Sequence, residues 1–166
     1  MLKLLGALGV FSALSWLGIE KGSWYIRRHR CLQQWHQALL EGERLLCDLN
    51  CPTEEFLLWM SNCPGLGKMG RRCQELLGYE ERLEPAWSQA LVEASFPLQE
   101  DELRLLGELG HTLGRYDGEE QRRYIRVCLH RLEDCLLRAE EEKLRLSRMW
   151  SVIGLSCGAM AVVLLF

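Results

Sequence analysis

Gly107, Gly110 and Gly114, in the stretch "GELGHTLGRYDGEEQRRYI", have the composition of a loop that could cradle a phosphate. Such a cradle needs a strand before it and a helix after it, so that backbone N–H groups converge on the anion. The residues before this one carry Leu103, Leu106, Leu109 and Leu113, which is helical spacing. Glycines three and four apart then share one helix face, where the missing side chain lets a second helix come close. Gly114 follows the last leucine, the place for a helix C-cap. Asp117 with Glu120 three residues later has the pattern of a capping box. Gly110, Leu113, Gly114, Asp117 and Glu120 thus read as a helix end, a corner and a helix start. The expected role is structural, with no bound cofactor.

Other chemistry is thinly signalled. The sequence contains neither Gly-x-Ser-x-Gly nor His-x-x-x-His. Glu140, Glu141 and Glu142 read as a solvated helix face. Cys47 and Cys51 are four apart without a matching second pair, and His29, His36, His111 and His130 are scattered, so no metal site is expected. Cysteine then serves as a small buried apolar residue. Neither a catalytic residue nor a small-molecule substrate is expected. The net charge of −3 is too small, and the basic residues too mixed with acidic ones, to indicate a nucleic-acid partner.

The elements that hold these residues are helical throughout, with no β-rich run. Leu32, Trp35, Leu39, Leu46 and Leu49 lie near one face, and Asn50-Cys51-Pro52 breaks that helix. Thr53 is placed to cap a short helix, "EEFLLWMSN". "CPGLG" separates it from "KMGRRCQELLG". A further helix, "LEPAWSQALVEAS", carries Trp87, Leu91 and Ala94. Trp35, Trp59 and Trp87 are expected in the core, with a docking surface as the alternative. The last helix has no Pro or Gly from Glu119 to Ile153, and its stripe runs Ile125, Cys128, Leu129, Leu132, Cys135, Leu136 and Ala139. About six helices joined by short links make an antiparallel bundle.

Two segments stand apart. Leu4–Ile19 and Met149–Phe166 contain no charged residue. The second spans roughly 27 Å as a helix, close to the thickness of a bilayer's hydrocarbon core. Both are read as transmembrane helices. A secretory signal peptide is the rival for the first, with Ala13-Leu14-Ser15 as a cleavage site. However, only Lys3 precedes that segment, whereas Lys21, Arg27, Arg28 and Arg30 follow it; Lys143, Arg145 and Arg148 precede the second. The positive-inside rule puts the middle of the chain in the cytoplasm from both ends. Seven of the eight cysteines lie in that middle and are expected to stay reduced. Gly154 and Gly158 have the spacing for close helix packing in lipid, with lipid-facing filler as the alternative. The expected organisation is an anchor over 1–22, a cytoplasmic bundle over 23–148 and an anchor over 149–166. The fold class is all-α.

"MLKLLGALGV" at the start, "FPLQEDELRLLGELGHTLGRYDGEEQRRYI" in the middle and a charged helix running into an apolar C-terminal segment together resemble the stage III sporulation protein AB family. The resemblance covers essentially the whole chain, and "ELGHTLGRYDGEEQ" is its most specific part. It implies a membrane subunit of an endospore-forming bacterium, in the membrane around the engulfed forespore, with its bundle in the mother-cell cytoplasm. It also implies a bundle similar to the domain of the type II secretion F platform protein. The implied partners are a secretion-type ATPase and the other membrane subunits of one channel complex. The cysteines and tryptophans of the bundle are unusually many for the family. The alternatives are a membrane adaptor or sensor that binds a soluble regulator, and a metal- or redox-active membrane protein that uses the cysteines.

Overall fold

The computed structural model of the chain describes residues 2–79, 82–113 and 118–165; most side chains of 2–18 and 154–165 lie outside that description. Six α-helices follow in order: α1 (Leu2–Glu43), α2 (Thr53–Ser61), α3 (Gly67–Leu77), α4 (Leu83–Ala94), α5 (Glu100–Thr112) and α6 (Gly118–Leu165). A π-helical turn, Arg44–Asp48, extends α1. There is no strand among the described residues, so the all-α class holds. α6 runs unbroken through 48 residues, as its lack of Pro and of Gly up to Ile153 implies. α1 is also continuous, passing Gly18 and Gly22 without a break.

The chain divides into two compact units, one of Arg30–Leu136, the other of the residues up to His29 with those from Leu137 onward. In the first, α3 packs between α2 and α4, and α4 packs on α5. The short links between these helices leave each to fold back against its predecessor. The core centres on Trp35 and Trp87, whose rings meet edge-on at 5.9 Å, with Phe96 5.6 Å from Trp35. Both indoles are fully buried. Such edge-to-face pairs add to the area they bury. Trp87 Nε1 donates to the Leu106 carbonyl oxygen at 2.8 Å, which stitches α4 to α5. Two close approaches depend on glycine. A Cβ on Gly70 would lie 2.6 Å from the Ser61 backbone nitrogen, and one on Gly110 would lie 2.6 Å from Trp87 Cγ.

α1 and α6 run antiparallel in this unit. His36 meets Glu133 (3.3 Å), Glu43 meets Arg126 (2.7 Å) and Asp48 meets Arg122 (2.7 Å), so each step up one helix is a step down the other.

Several local expectations need correction. Thr53 is the first residue of α2; Pro52 holds the capping position in an extended conformation without a side-chain cap. Leu49 is exposed, because the π-helical turn shifts the phase of the stripe after Leu46. α5 ends one residue early, with Leu113 in extended conformation at the C-cap. The capping box found among the described residues is at the start of α5: the Gln99 side chain accepts from the N3 backbone, and the Gln99 backbone N–H donates to Glu102 Oε2 at 2.7 Å.

Among the described residues, no helix is long and apolar enough to cross a membrane. Leu4–Ile19 and Met149–Phe166 fall largely outside the described side chains.

Candidate functional site

The glycine corner separates into parts with different fates. Gly110 abuts the Trp87 indole, as a close-packing glycine should. Gly107 does not share that role; a Cβ there would meet nothing within 4 Å. Leu113 is buried. Glu120 is exposed in the first turn of α6, where its charge favours the helix dipole. Gly114 and Asp117 lie outside the described residues, and Gly154 and Gly158 lie within α6 but outside the described side chains.

Beside this corner opens a cleft of about 520 Å³. Leu57, Leu77, Leu83 and Leu113 supply apolar lining; Glu54, Arg82 and Glu84 supply charge, with the His111 imidazole beside them. His111 Nδ1 sits 2.9 Å from Glu84 Oε1, with both side chains about half exposed. The set offers an apolar contact with mixed charges around it, which suits protein docking better than bond-breaking chemistry. No group of three His, Cys, Asp or Glu among the described residues is arranged to hold a metal ion.

The buried thiols are chemically quiet. Burial, then the nearby Glu102 carboxylate, pushes Cys31 up to about 12. Burial alone pushes Cys73 up to about 11. Cys128 also rises to about 11, again chiefly by burial, with Arg131 opposing. A thiol that stays protonated at neutral pH is a poor nucleophile and a poor metal ligand. The half-buried Cys47, Cys51 and Cys63 are shifted in the same direction. Their surroundings therefore work against a redox centre built on the cysteines.

In the other unit one side-chain constellation stands out. Arg28 is buried and donates to Glu142 Oε2 at 2.5 Å, 114 residues away in sequence. Its guanidinium also lies 5.8 Å from the centre of the Trp24 ring, which itself meets Tyr25 edge-on at 5.1 Å. His29 is buried beside it, and its pKa is lowered by burial and then by the Lys143 charge. The pair lies near where α1 leaves this unit and α6 enters it, so the two helices number in opposite directions away from it. From the pair, Ile19 lies nine residues away on α1 and Met149 seven on α6, about 14 Å and about 11 Å of helix. Both uncharged segments thus begin at nearly the same level. Sequence reasoning read the two charge boundaries but had no signal for the ion pair that aligns them.

Comparison with known proteins agrees with the resemblance carried by the corner and the N-terminal residues. The family model described as stage III sporulation protein AB matches residues 3–166. Stage III sporulation protein AB of Bacillus subtilis (strain 168) is 28% identical over 171 aligned positions, covering 99% of each chain. A solved structure of a stage III sporulation protein AB superposes with a TM-score of 0.65 at 22% identity, covering 72% of this chain and 98% of that one, which supports the helical fold. The chain belongs to the stage III sporulation protein AB family.

Proposed function

We propose that this protein is a non-enzymatic membrane platform in a complex that links mother cell and forespore after engulfment. Its bundle lies in the mother-cell cytoplasm, held to the membrane around the forespore by α1 and α6. There it engages a secretion-type ATPase and the other membrane subunits of the complex. The coupling role rests on the F-like bundle that membership of the family implies. It transmits movement from the ATPase to an assembly in the bilayer.

The observation that carries this reading is the family match over 3–166, which takes in both uncharged ends together with the bundle. The alignment of the two charge boundaries by the Arg28–Glu142 pair supports the anchoring part. A pair of helices that lose their charges at one level suits a bilayer surface at that level.

The genetic test is a clean deletion in the source organism, with heat-resistant spores counted beside vegetative growth. The reading expects normal growth and loss of spores, with arrest after engulfment. Normal spore counts would overturn the role in sporulation and leave an adaptor for a soluble regulator as the better account.

A further inference from the structure

We propose that Lys21, Arg27, Arg145 and Arg148, with Trp24 and Trp150, form a belt that binds the headgroups of anionic phospholipids. The inference rests on the membrane reading and names a lipid preference within it.

The level of these residues is the first argument. All belong to the unit formed by the ends of α1 and α6. Measured from the Arg28–Glu142 pair, Lys21 is seven residues away on α1 and Arg148 six on α6. Lys21 and Arg148 therefore lie at about one height, within a turn of the start of the uncharged segments. Arg27 and Arg145 lie below them, toward the pair. Headgroup phosphates would occupy that height if the uncharged segments enter the hydrocarbon.

Charge partners give the second argument. Lys21, Arg27, Arg145 and Arg148 are exposed, and none has an ion pair among the described residues. Arg28 behaves differently: it is buried and committed to Glu142 and the face of Trp24. The acidic residues of α6 in this unit, Glu140, Glu141 and Glu142, sit further from the uncharged segment than Arg145 and Arg148. Glu20 is the one carboxylate at the height of Lys21 and Arg148. Lys21 and Arg148, the cations nearest the proposed bilayer, thus have no ion-pair partner among the described residues.

The aromatic residues fit the same location. Trp24 and Trp150 are half-buried. An indole with one apolar side and one N–H is favoured where hydrocarbon gives way to headgroups. Basic residues beside an anionic membrane surface each strengthen binding by about fivefold, an effect that salt screens.

The test uses the full chain in detergent micelles. Thermal unfolding is followed while short-chain phosphatidylglycerol, phosphatidylcholine or inorganic phosphate is added. The proposal expects stabilisation by phosphatidylglycerol well above that by phosphatidylcholine, lost at high salt, and no effect of inorganic phosphate at matched concentration. Combining Lys21→Gln, Arg27→Gln, Arg145→Gln and Arg148→Gln should weaken the lipid effect at least tenfold. Arg123→Gln, an exposed cation of the bundle unit, should leave it unchanged. Equal responses to the two lipids, or to free phosphate, would overturn the proposal. So would an unchanged lipid preference in a combined variant that keeps its helical content. The salt dependence of the unaltered chain tests the idea even if that variant fails to fold. Flotation with neutral phosphatidylcholine vesicles separates the two readings. A chain that does not float refutes the membrane reading and the belt together; one that floats without preferring the anionic lipid refutes the belt alone.

Discussion

The two units differ in where their paired arginines lie. In the unit of Arg30–Leu136, Arg44, Arg72, Arg104, Arg122, Arg126 and Arg131 each face a carboxylate, in most cases at the surface. Exposed pairs of this kind contribute little stability each. The tryptophan-centred core holds that unit together, and its ion pairs fix helix register. In the other unit Arg28 has a buried ionic contact with Glu142, and four exposed cations near the uncharged segments have no ion pair among the described residues. A charge satisfied within the protein fixes geometry, whereas one left open is available to a partner.

The contrast can be broken most severely at its apolar pole. Trp87→Ala should lower the unfolding free energy by about 3–5 kcal/mol, because a large fully buried side chain leaves a cavity. It also deprives the Leu106 carbonyl of its indole donor. Chemical denaturation of the full chain measures this. An unfolding midpoint that barely moved would remove Trp87 from the centre of the core.

Next in size is the ionic contact of the other unit. Glu142→Gln removes one ionic partner of the buried Arg28 guanidinium and should cost about 1–3 kcal/mol. Removing the exposed partner in Arg126→Gln should cost clearly less than that. Equal losses for the two variants would erase the distinction between buried and surface pairs.

The glycines sharpen the same comparison within one helix. Gly110→Ala should destabilise by about 1–3 kcal/mol, since its Cβ runs into the Trp87 indole. Gly107→Ala meets open space and should stabilise by up to about 1 kcal/mol through helix propensity. Paired denaturation curves decide whether the two residues really differ.

The smallest effect concerns the surface pair between α3 and α4. Arg72, and then Gln89, hold the Glu93 carboxyl below its ordinary range. A depressed carboxylate contributes fully above its unfolded pKa, and the contribution is lost as pH falls through the folded one. Glu93→Gln should therefore narrow the difference between thermal midpoints at neutral and acid pH. An unchanged difference would mean that Glu93 gains nothing from Arg72.

The helical class, the stripe of Leu32, Trp35 and Leu39 and the unbroken α6 were legible because each rests on local periodicity. Leu49 was misplaced because a π-helical turn has no clear sequence mark and rotates every residue after it. The α5 capping box was missed because glutamine is an unusual N-cap; Glu102 three residues later was the available signal. Spacing placed Gly107 and Gly110 on one face but could not say which would meet Trp87. The Arg28–Glu142 contact joins residues 114 positions apart and depends wholly on how α1 meets α6.

The most direct test of the proposed platform role is binding between the full chain in lipid nanodiscs and a purified secretion-type ATPase from the same organism. Specific binding in the nanodisc, with ATP turnover that requires the ATPase and none by the chain alone, is the predicted result. A chain that stays out of the nanodisc, fails to bind the ATPase or hydrolyses ATP alone would contradict it.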